Sequence, residues 1–206
     1  MKLIFAPPSP DDLIRLLKAW RFWLLGALVG ALIGAVVFYT APPPYRARAT
    51  VNVDFHLEQA WPQNTDREQF YYLERETRKL EEIAVSDAVL NSVATGVSGV
   101  TVQQLRDQKL QLSQPGNGGW HFFADDHDPQ RAAALASGWA QAFAQNVQTQ
   151  VVTPSSGLEQ YITATPTQVQ DLTVRRSISL SYYLLVGAIV FLALFVLVIL
   201  FFDFKR

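Results

Sequence analysis

Two stretches of the chain, residues 22–39 and 177–202, contain no charged side chain and are rich in apolar residues. A helix over the first stretch is about 27 Å long, because each residue adds about 1.5 Å, and the hydrocarbon core of a bilayer is roughly 30 Å thick. Since unpaired backbone groups are costly in lipid, both stretches are predicted to be helices. The pattern predicts a two-span membrane protein, with transmembrane helices at residues 22–41 and 179–202 and with membrane lipid as a partner.

The preceding residues, 1–21, are predicted to form an amphipathic leader. Ser9 is a suitable helix N-cap, and Pro10 suits the first helical position. Apolar side chains then recur at helical spacing and form one stripe along the membrane surface, at Leu13, Leu16, Leu17 and Trp20. A cleaved signal peptide would need small residues after its apolar run, but Pro42-Pro43-Pro44 follows instead. The first span is therefore interpreted as an uncleaved anchor.

Basic residues near the membrane are more numerous beside the chain termini than beside the loop. Six lie on the terminal side (Lys2, Arg15, Lys18, Arg21, Lys205 and Arg206), and four lie on the loop side (Arg46, Arg48, Arg175 and Arg176). By the positive-inside rule, this bias favours cytoplasmic termini. The leader and the tail at residues 203–206 are then cytoplasmic, and a domain at residues 42–178 lies outside the cytoplasm.

Within this outer domain, alternation of apolar and polar residues predicts several strands. The first strand runs from Tyr45 to Phe55 and has one solvent-exposed face. A hairpin follows later, in which Leu110 and Leu112 precede a turn at residues 116–119 and residues 120–123 form the returning strand. Residues 158–165 are predicted to form a last strand, and residues 166–176 lead back to the membrane.

Helix signals lie between these strands. Asn64, Thr65 or Asp66 can cap a helix that ends near Ala84 and buries Phe70, Leu73, Leu80 and Ile83. Ser86 begins a shorter helix, and Thr101 caps another turn. Asp128-Pro129 opens a long helix whose apolar face contains Leu135, Ala136, Trp139, Ala140, Phe143 and Val147. The predicted fold is an α+β extracytoplasmic domain, with helices on a mixed sheet, flanked by two transmembrane helices.

Composition narrows the function classes. Only 17% of the residues are charged, whereas soluble domains average about 25%. Cysteine is absent, which excludes disulfides, thiolate metal sites and a cysteine nucleophile. The formal net charge is −1, and residues 42–178 are more acidic than the rest of the chain. Because an acidic domain does not attract phosphate backbones, no nucleic-acid partner is expected.

One acidic cluster could carry chemistry. Asp125, Asp126 and Asp128 surround His127, and His121 precedes them by four residues. The Asp126-x-Asp128 pair matches the short acidic motif with which many sugar transferases hold a metal-bound nucleotide sugar. Asp128 is also explained as the cap before Pro129, and no phosphate-binding glycine loop or partner base accompanies the pair. Capping is the preferred interpretation, so no catalytic residue, metal or cofactor is predicted.

The first span carries a regular glycine pattern. Gly26, Gly30 and Gly34 recur every four residues. Small residues at this spacing let helices approach closely in lipid, where packing rather than the hydrophobic effect drives association. We expect these glycines to pack against another span, within one subunit or between subunits. The alternative is that glycine is simply common in membrane helices.

The chain resembles the chain-length determinant (Wzz-type) family of polysaccharide co-polymerases, in a short form without a kinase domain. The first strand opens with Tyr45-Arg46-Ala47 shortly after a span, like the family's membrane-proximal strand. Asp128-Pro129, with Ala132 in the helix that follows, is similar to the family's Asp-Pro-x-x-Ala segment. A second span lies near the C-terminus. Pro166 alone stands where family members often carry a proline-rich stretch.

The resemblance implies a non-enzymatic homo-oligomer in the bacterial inner membrane. Its outer domains would influence how far a polysaccharide polymerase extends a nascent glycan, such as an O-antigen, a capsule or an exopolysaccharide. Two alternatives stay open: an adaptor that docks and activates a separate cytoplasmic tyrosine kinase, and a two-span sensor whose outer domain binds a ligand.

Overall fold

A computed structural model describes Ile14 and residues 17–60, 66–113, 119–152 and 161–201 of the chain. The chain divides into two compact units. One unit contains the residues up to Pro43 together with those from Ile178 onward, and the other is Pro44–Ser177. In chain order the elements are α1 (Trp20–Thr40), β1 (Tyr45–Asp54), α2 (Leu57–Ala60), α3 (Asp66–Ala84), α4 (Asp87–Gly96), α5 (Val102–Gln104), a π-helical turn (Leu105–Lys109), β2 (Leu110–Ser113), β3 (Gly119–Asp126), α6 (Pro129–Val152), β4 (Thr163–Gln168), β5 (Arg175–Arg176) and α7 (Leu180–Phe201).

The first unit is a pair of apolar helices, α1 and α7. Both are long and apolar enough to cross a membrane, which confirms the prediction of two such helices. Gly26 lies against Phe195, whereas Gly34 lies against Tyr183. The residue number of the contacted position on α7 decreases as the residue number on α1 increases, so the two helices pack antiparallel.

The second unit combines helices with a sheet in which β1 is central. Strand β3 pairs with one edge of β1, while β4 and β5 pair with the other edge, and β2 pairs with β3. Every one of these pairings is antiparallel. The prediction of a mixed sheet is therefore wrong for the strands that the structure describes. The expected combination of helices and sheet, and the hairpin of β2 with β3, are confirmed.

The core lies between one face of the sheet and α6. Alternate residues of β1 are fully buried, namely Ala47, Ala49 and Val51. The predicted apolar face of α6 is confirmed, since its six residues are all buried: Leu135, Ala136, Trp139, Ala140, Phe143 and Val147. Phe122 of β3 contacts the Trp139 ring edge to face, with centroids 4.8 Å apart. Small residues on β1 leave room for these rings.

Local capping rules hold at three predicted helix starts. The Ser86 hydroxyl accepts a hydrogen bond from the Val89 amide, and Thr101 forms a reciprocal capping box with Gln104. The Asp128 carboxylate accepts a hydrogen bond from the Gln130 amide at 2.9 Å, directly before α6. These contacts satisfy amides that would otherwise lack a partner inside each helix.

Some expectations differ from the structure. The Phe70 side chain is 64% exposed, so it does not belong to the buried stripe of α3, whereas Leu80 and Ile83 are buried. Pro166 lies within β4 and not at the start of the return to the membrane, and β5 was not predicted. Several predictions fall outside the described residues: the Ser9 cap, Leu13 and Leu16 of the leader, the Asn64 and Thr65 caps, residues 116–118 of the turn, the start of the last strand at residues 158–160, and the tail at residues 203–206.

Candidate functional site

The positions that carry the family resemblance open the central strand of the sheet. Tyr45, Arg46 and Ala47 are the first three residues of β1. Because successive side chains of a strand point to opposite faces, Ala47 faces the core while Arg46 faces away from α6. The hydrophobic alternation of β1 thus presents Arg46 on the polar face of the sheet.

Arg46 is held there by Asp125, its partner in the antiparallel register with β3. The guanidinium donates two hydrogen bonds to the carboxylate, from Nε at 2.7 Å and from Nη2 at 2.6 Å. These hydrogen bonds raise the pKa of Arg46 above its usual value, although burial opposes the shift. A forked pair of this kind fixes orientation as well as charge, so Arg46 and Asp125 act as one rigid unit.

Aromatic and polar side chains continue the same face beyond this pair. The Arg46 guanidinium lies 5.7 Å from the centre of the Phe123 ring. The Thr50 hydroxyl and His121 Nδ1 are 3.2 Å apart. Burial, followed by the positive charge of Arg48, lowers the pKa of His121. The neutral form of His121 is therefore favoured, mainly because its ring is partly buried and in part because the Arg48 charge lies nearby.

The acidic cluster of residues 125–128 is divided among separate partners. Asp126 is 6% exposed and accepts hydrogen bonds from Lys109 Nζ and from the Asp128 amide. Burial alone would raise the pKa of Asp126, but the Asp128 amide, Lys109 and Arg131 outweigh it and hold this pKa below its usual value. Asp126 is thus an ionised structural carboxylate at the end of β3.

Asp128 and Ala132 belong to the start of α6. Asp128 caps the helix through Gln130, and Pro129 occupies the first helical position, where its missing amide costs nothing. Ala132 is fully buried. Among the residues that the structure describes, no group of three His, Cys, Asp or Glu side chains has the geometry of a metal site. The acidic cluster of residues 125–128 therefore contributes a helix start and two ion pairs.

The glycines of the first span face the second apolar helix. Gly26, Gly30 and Gly34 are buried on α1, and Gly187 of α7 lies against the Gly30 backbone. A methyl group added at Gly30 would lie 2.6 Å from Phe191 Cβ and 2.8 Å from the Gly187 carbonyl carbon. Such contacts are far shorter than an ordinary carbon–carbon contact of about 3.5–4.0 Å. In this structure the glycine face is occupied within one chain, and packing between subunits stays a prediction.

Pro166 lies opposite Val51 in the pairing of β4 with β1, immediately beside an irregularity in the register. A proline cannot donate to the ladder, so it suits an edge strand or a bulge. Beyond it, β5 returns to pair with the start of β1, and the Ser177 amide donates to the Pro44 carbonyl at 2.9 Å. The chain therefore enters and leaves the α+β unit at adjacent positions.

Sequence patterns do not predict the positions of Lys109 and Arg175 in the site. Lys109 lies in the π-helical turn and forms the ion pair with Asp126. Arg175 lies in β5, directly opposite Arg46 of β1. The strand β5 contains only two residues, which is too short for alternation to reveal. The segment before β5 contains three apolar residues, Val169, Leu172 and Val174, and they are partly buried against the core. These apolar residues are a sequence signal that the segment packs on the domain.

The arrangement supports fixed ion pairs, a close helix–helix contact and a positively charged sheet face. No protein-family model matches the chain, and no curated protein sequence matches it.

Proposed function

We propose that the protein is a two-span protein of the bacterial inner membrane that acts without catalysis as a co-polymerase or scaffold in the synthesis or export of surface polysaccharides. In this proposal both termini are cytoplasmic, and the α+β unit lies on the opposite side of the membrane. The protein assembles as a homo-oligomer whose outer units contact the polymerase and the growing glycan.

One observation carries the proposal: a folded α+β unit is joined at both ends to apolar helices that pack on each other. Only four residues separate α1 from β1, and three separate β5 from α7. Such a chain order suits a protein that holds a folded unit at the bilayer surface. The resemblance at Tyr45-Arg46-Ala47 and at Asp128-Pro129 adds support, because both motifs occupy structural positions of this unit, a strand start and a helix start.

The topology is tested first, by labelling single cysteines in a chain that has none of its own. Thr95 and Lys18 are both exposed, one on the α+β unit and one beside α1. With a membrane-impermeant maleimide added to spheroplasts, Thr95→Cys should be labelled, and Lys18→Cys should be labelled only after lysis. Labelling of Lys18→Cys in intact spheroplasts would contradict the proposed orientation.

The function is tested by deleting the gene in its native host and resolving surface glycans by length on gels. The deletion should broaden or shift the length distribution, and the wild-type gene should restore it. Unchanged lengths, together with unchanged amounts of surface glycan, would contradict the co-polymerase function. In parallel, the protein purified in detergent should have a native mass well above that of a dimer, and a monomer would contradict the oligomeric scaffold.

A further inference from the structure

The polar face of the sheet contains a pocket lined by arginines from two strands. It has a volume of about 360 Å³, and its lining includes Arg46, Arg48, Arg175 and Arg176 together with Gln168 and Thr173. We call these six residues the arginine pocket. All of them belong to the α+β unit. The volume falls within the range of roughly 300–1,000 Å³ that is usual for small-ligand sites.

Strand pairing forces these positive charges together. Arg46 of β1 lies between Asp125 of β3 and Arg175 of β5, because both residues are its register partners. Residues directly opposite each other in an antiparallel pair share a face, and like charges in such a pair are destabilising. Arg48 lies two residues further along β1, on the same face as Arg46.

The carboxylate among these register partners, that of Asp125, already has hydrogen-bond donors. Its two oxygens accept hydrogen bonds from Nε and Nη2 of Arg46. The side chains of Arg48 and Arg175 are exposed, and neither side chain forms a hydrogen bond or an ion pair with any residue that the structure describes. No carboxylate from the described part of the chain lines the pocket.

These groups suit one ligand chemistry. Guanidinium forks match the oxygens of a phosphate and bind it through paired, charge-assisted hydrogen bonds. Gln168 and Thr173 also line the pocket and add neutral donors. The Arg176 guanidinium stacks over the Tyr45 ring at 3.9 Å, on the face of β1 that also carries the buried Ala47. The ligand donors on the polar face are therefore the guanidinium groups of Arg48 and Arg175.

We propose that the arginine pocket binds a phosphate oxyanion, supplied by the headgroup of an anionic phospholipid. The pocket residues lie close in the sequence to both apolar helices: five residues separate Arg46 from the end of α1, and three separate Arg176 from the start of α7. Anionic membrane surfaces attract basic residues within roughly one Debye length, about 10 Å. The lipid source rests on the membrane placement proposed above, whereas phosphate recognition by the pocket does not.

The test compares the wild-type chain with Arg48→Gln/Arg175→Gln, and Arg78→Gln serves as a matched control. Arg78 is an exposed arginine of α3 that lies outside the pocket, and among the described residues its side chain forms one ion pair, with Glu74 at 3.6 Å. The full chains are purified in a neutral detergent, and native mass spectrometry measures the retention of added phosphatidylglycerol and phosphatidylcholine. Near-ultraviolet circular dichroism checks that each variant is folded.

The wild type should retain phosphatidylglycerol in preference to phosphatidylcholine. Each arginine near a lipid phosphate contributes about fivefold in affinity, so the double variant should lose about 25-fold. Arg78→Gln should stay within about twofold of the wild type. Equal retention by the wild type and a folded double variant would overturn the proposal, and so would an equal loss in Arg78→Gln.

A second arm separates the lipid from a soluble source. Inorganic phosphate is titrated into the chain in detergent without anionic lipid, and the Arg48→Gln/Arg175→Gln variant is again the comparison. Competition between phosphate and phosphatidylglycerol supports one shared site. Binding of inorganic phosphate with no preference for phosphatidylglycerol supports the phosphate site and overturns the lipid as its source. This arm does not depend on membrane topology, so its failure is distinguishable from failure of the proposed function.

Discussion

Trp139 links the main helix of the α+β unit to the end of another helix. Its indole Nε1 donates a hydrogen bond of 2.7 Å to the carbonyl of Ala84, the last residue of α3. The final carbonyls of a helix have no donor inside that helix, and Ala84 is fully buried. The Trp139 side chain is 1% exposed, so water cannot replace this donor without a rearrangement of the core.

Replacing Trp139 by Phe should therefore have two separable costs. Loss of part of the ring costs about 1–2 kcal/mol in packing, and a buried acceptor left without a donor costs about 1–3 kcal/mol more. Trp120 provides the matched control, because it is 4% exposed, stacks on Phe143 at 5.5 Å and forms no hydrogen bond through its side chain to any described residue. Trp120→Phe removes the same atoms but leaves no carbonyl unpaired.

The assay is thermal unfolding of each full-length variant in one detergent, followed by near-ultraviolet circular dichroism. For a unit of roughly 130 residues, 1 kcal/mol corresponds to about 3–5 °C in Tm. Trp139→Phe should thus unfold about 3–15 °C below Trp120→Phe. Equal melting temperatures for the two variants would refute the reasoning, because the indole hydrogen bond would then contribute nothing measurable.

Three further predictions concern other parts of the chain. Gly30→Leu should destabilise the packing of α1 on α7 by about 1–3 kcal/mol and should lengthen the distance between spin labels at Leu24→Cys and Leu197→Cys. The control Leu32→Phe, at a position 68% exposed, should leave that distance unchanged. An unchanged distance in Gly30→Leu would contradict the close contact. Because the pKa of Asp126 is held below its ordinary value of 3.8, its ionised form stabilises the fold above that pH, and this stabilisation is lost as the pH falls through the lower pKa of the folded state. The melting temperatures of the wild type and Asp126→Asn should therefore differ at neutral pH and converge in acid. A constant difference at all pH values would contradict this assignment. Gly138→Ala places a methyl group in open space on α6 and should stabilise the helix by up to about 1 kcal/mol, so a fall in Tm would be the contrary result.

The sequence alone predicted those features that depend on local rules. Ser86, Thr101 and Asp128 were identified as caps because a cap needs only its own side chain and an amide two or three residues away. The apolar face of α6 and the β2–β3 hairpin follow from periodicity within one segment. Each of these features is determined by residues that are close together in the chain.

The features that were wrong or missed depend on distant residues. Alternation shows that a segment is a strand but not the direction of its neighbour, so the antiparallel sheet was described as mixed. Helical spacing places Phe70 on the same stripe as Leu80, but it does not reveal where along α3 the core ends. The Arg46–Asp125 pair joins residues 79 positions apart, and no local pattern distinguishes it from two surface charges.

The order in which the strands of the sheet are synthesised has a consequence for biogenesis. Strand β1 emerges first, yet two of its partners, β4 and β5, are the last strands in the chain. A nascent chain that has not reached Thr163 therefore exposes one edge of its central strand, and unpaired edges promote aggregation. Truncations before this point should therefore yield insoluble protein even though most of the core side chains are already present.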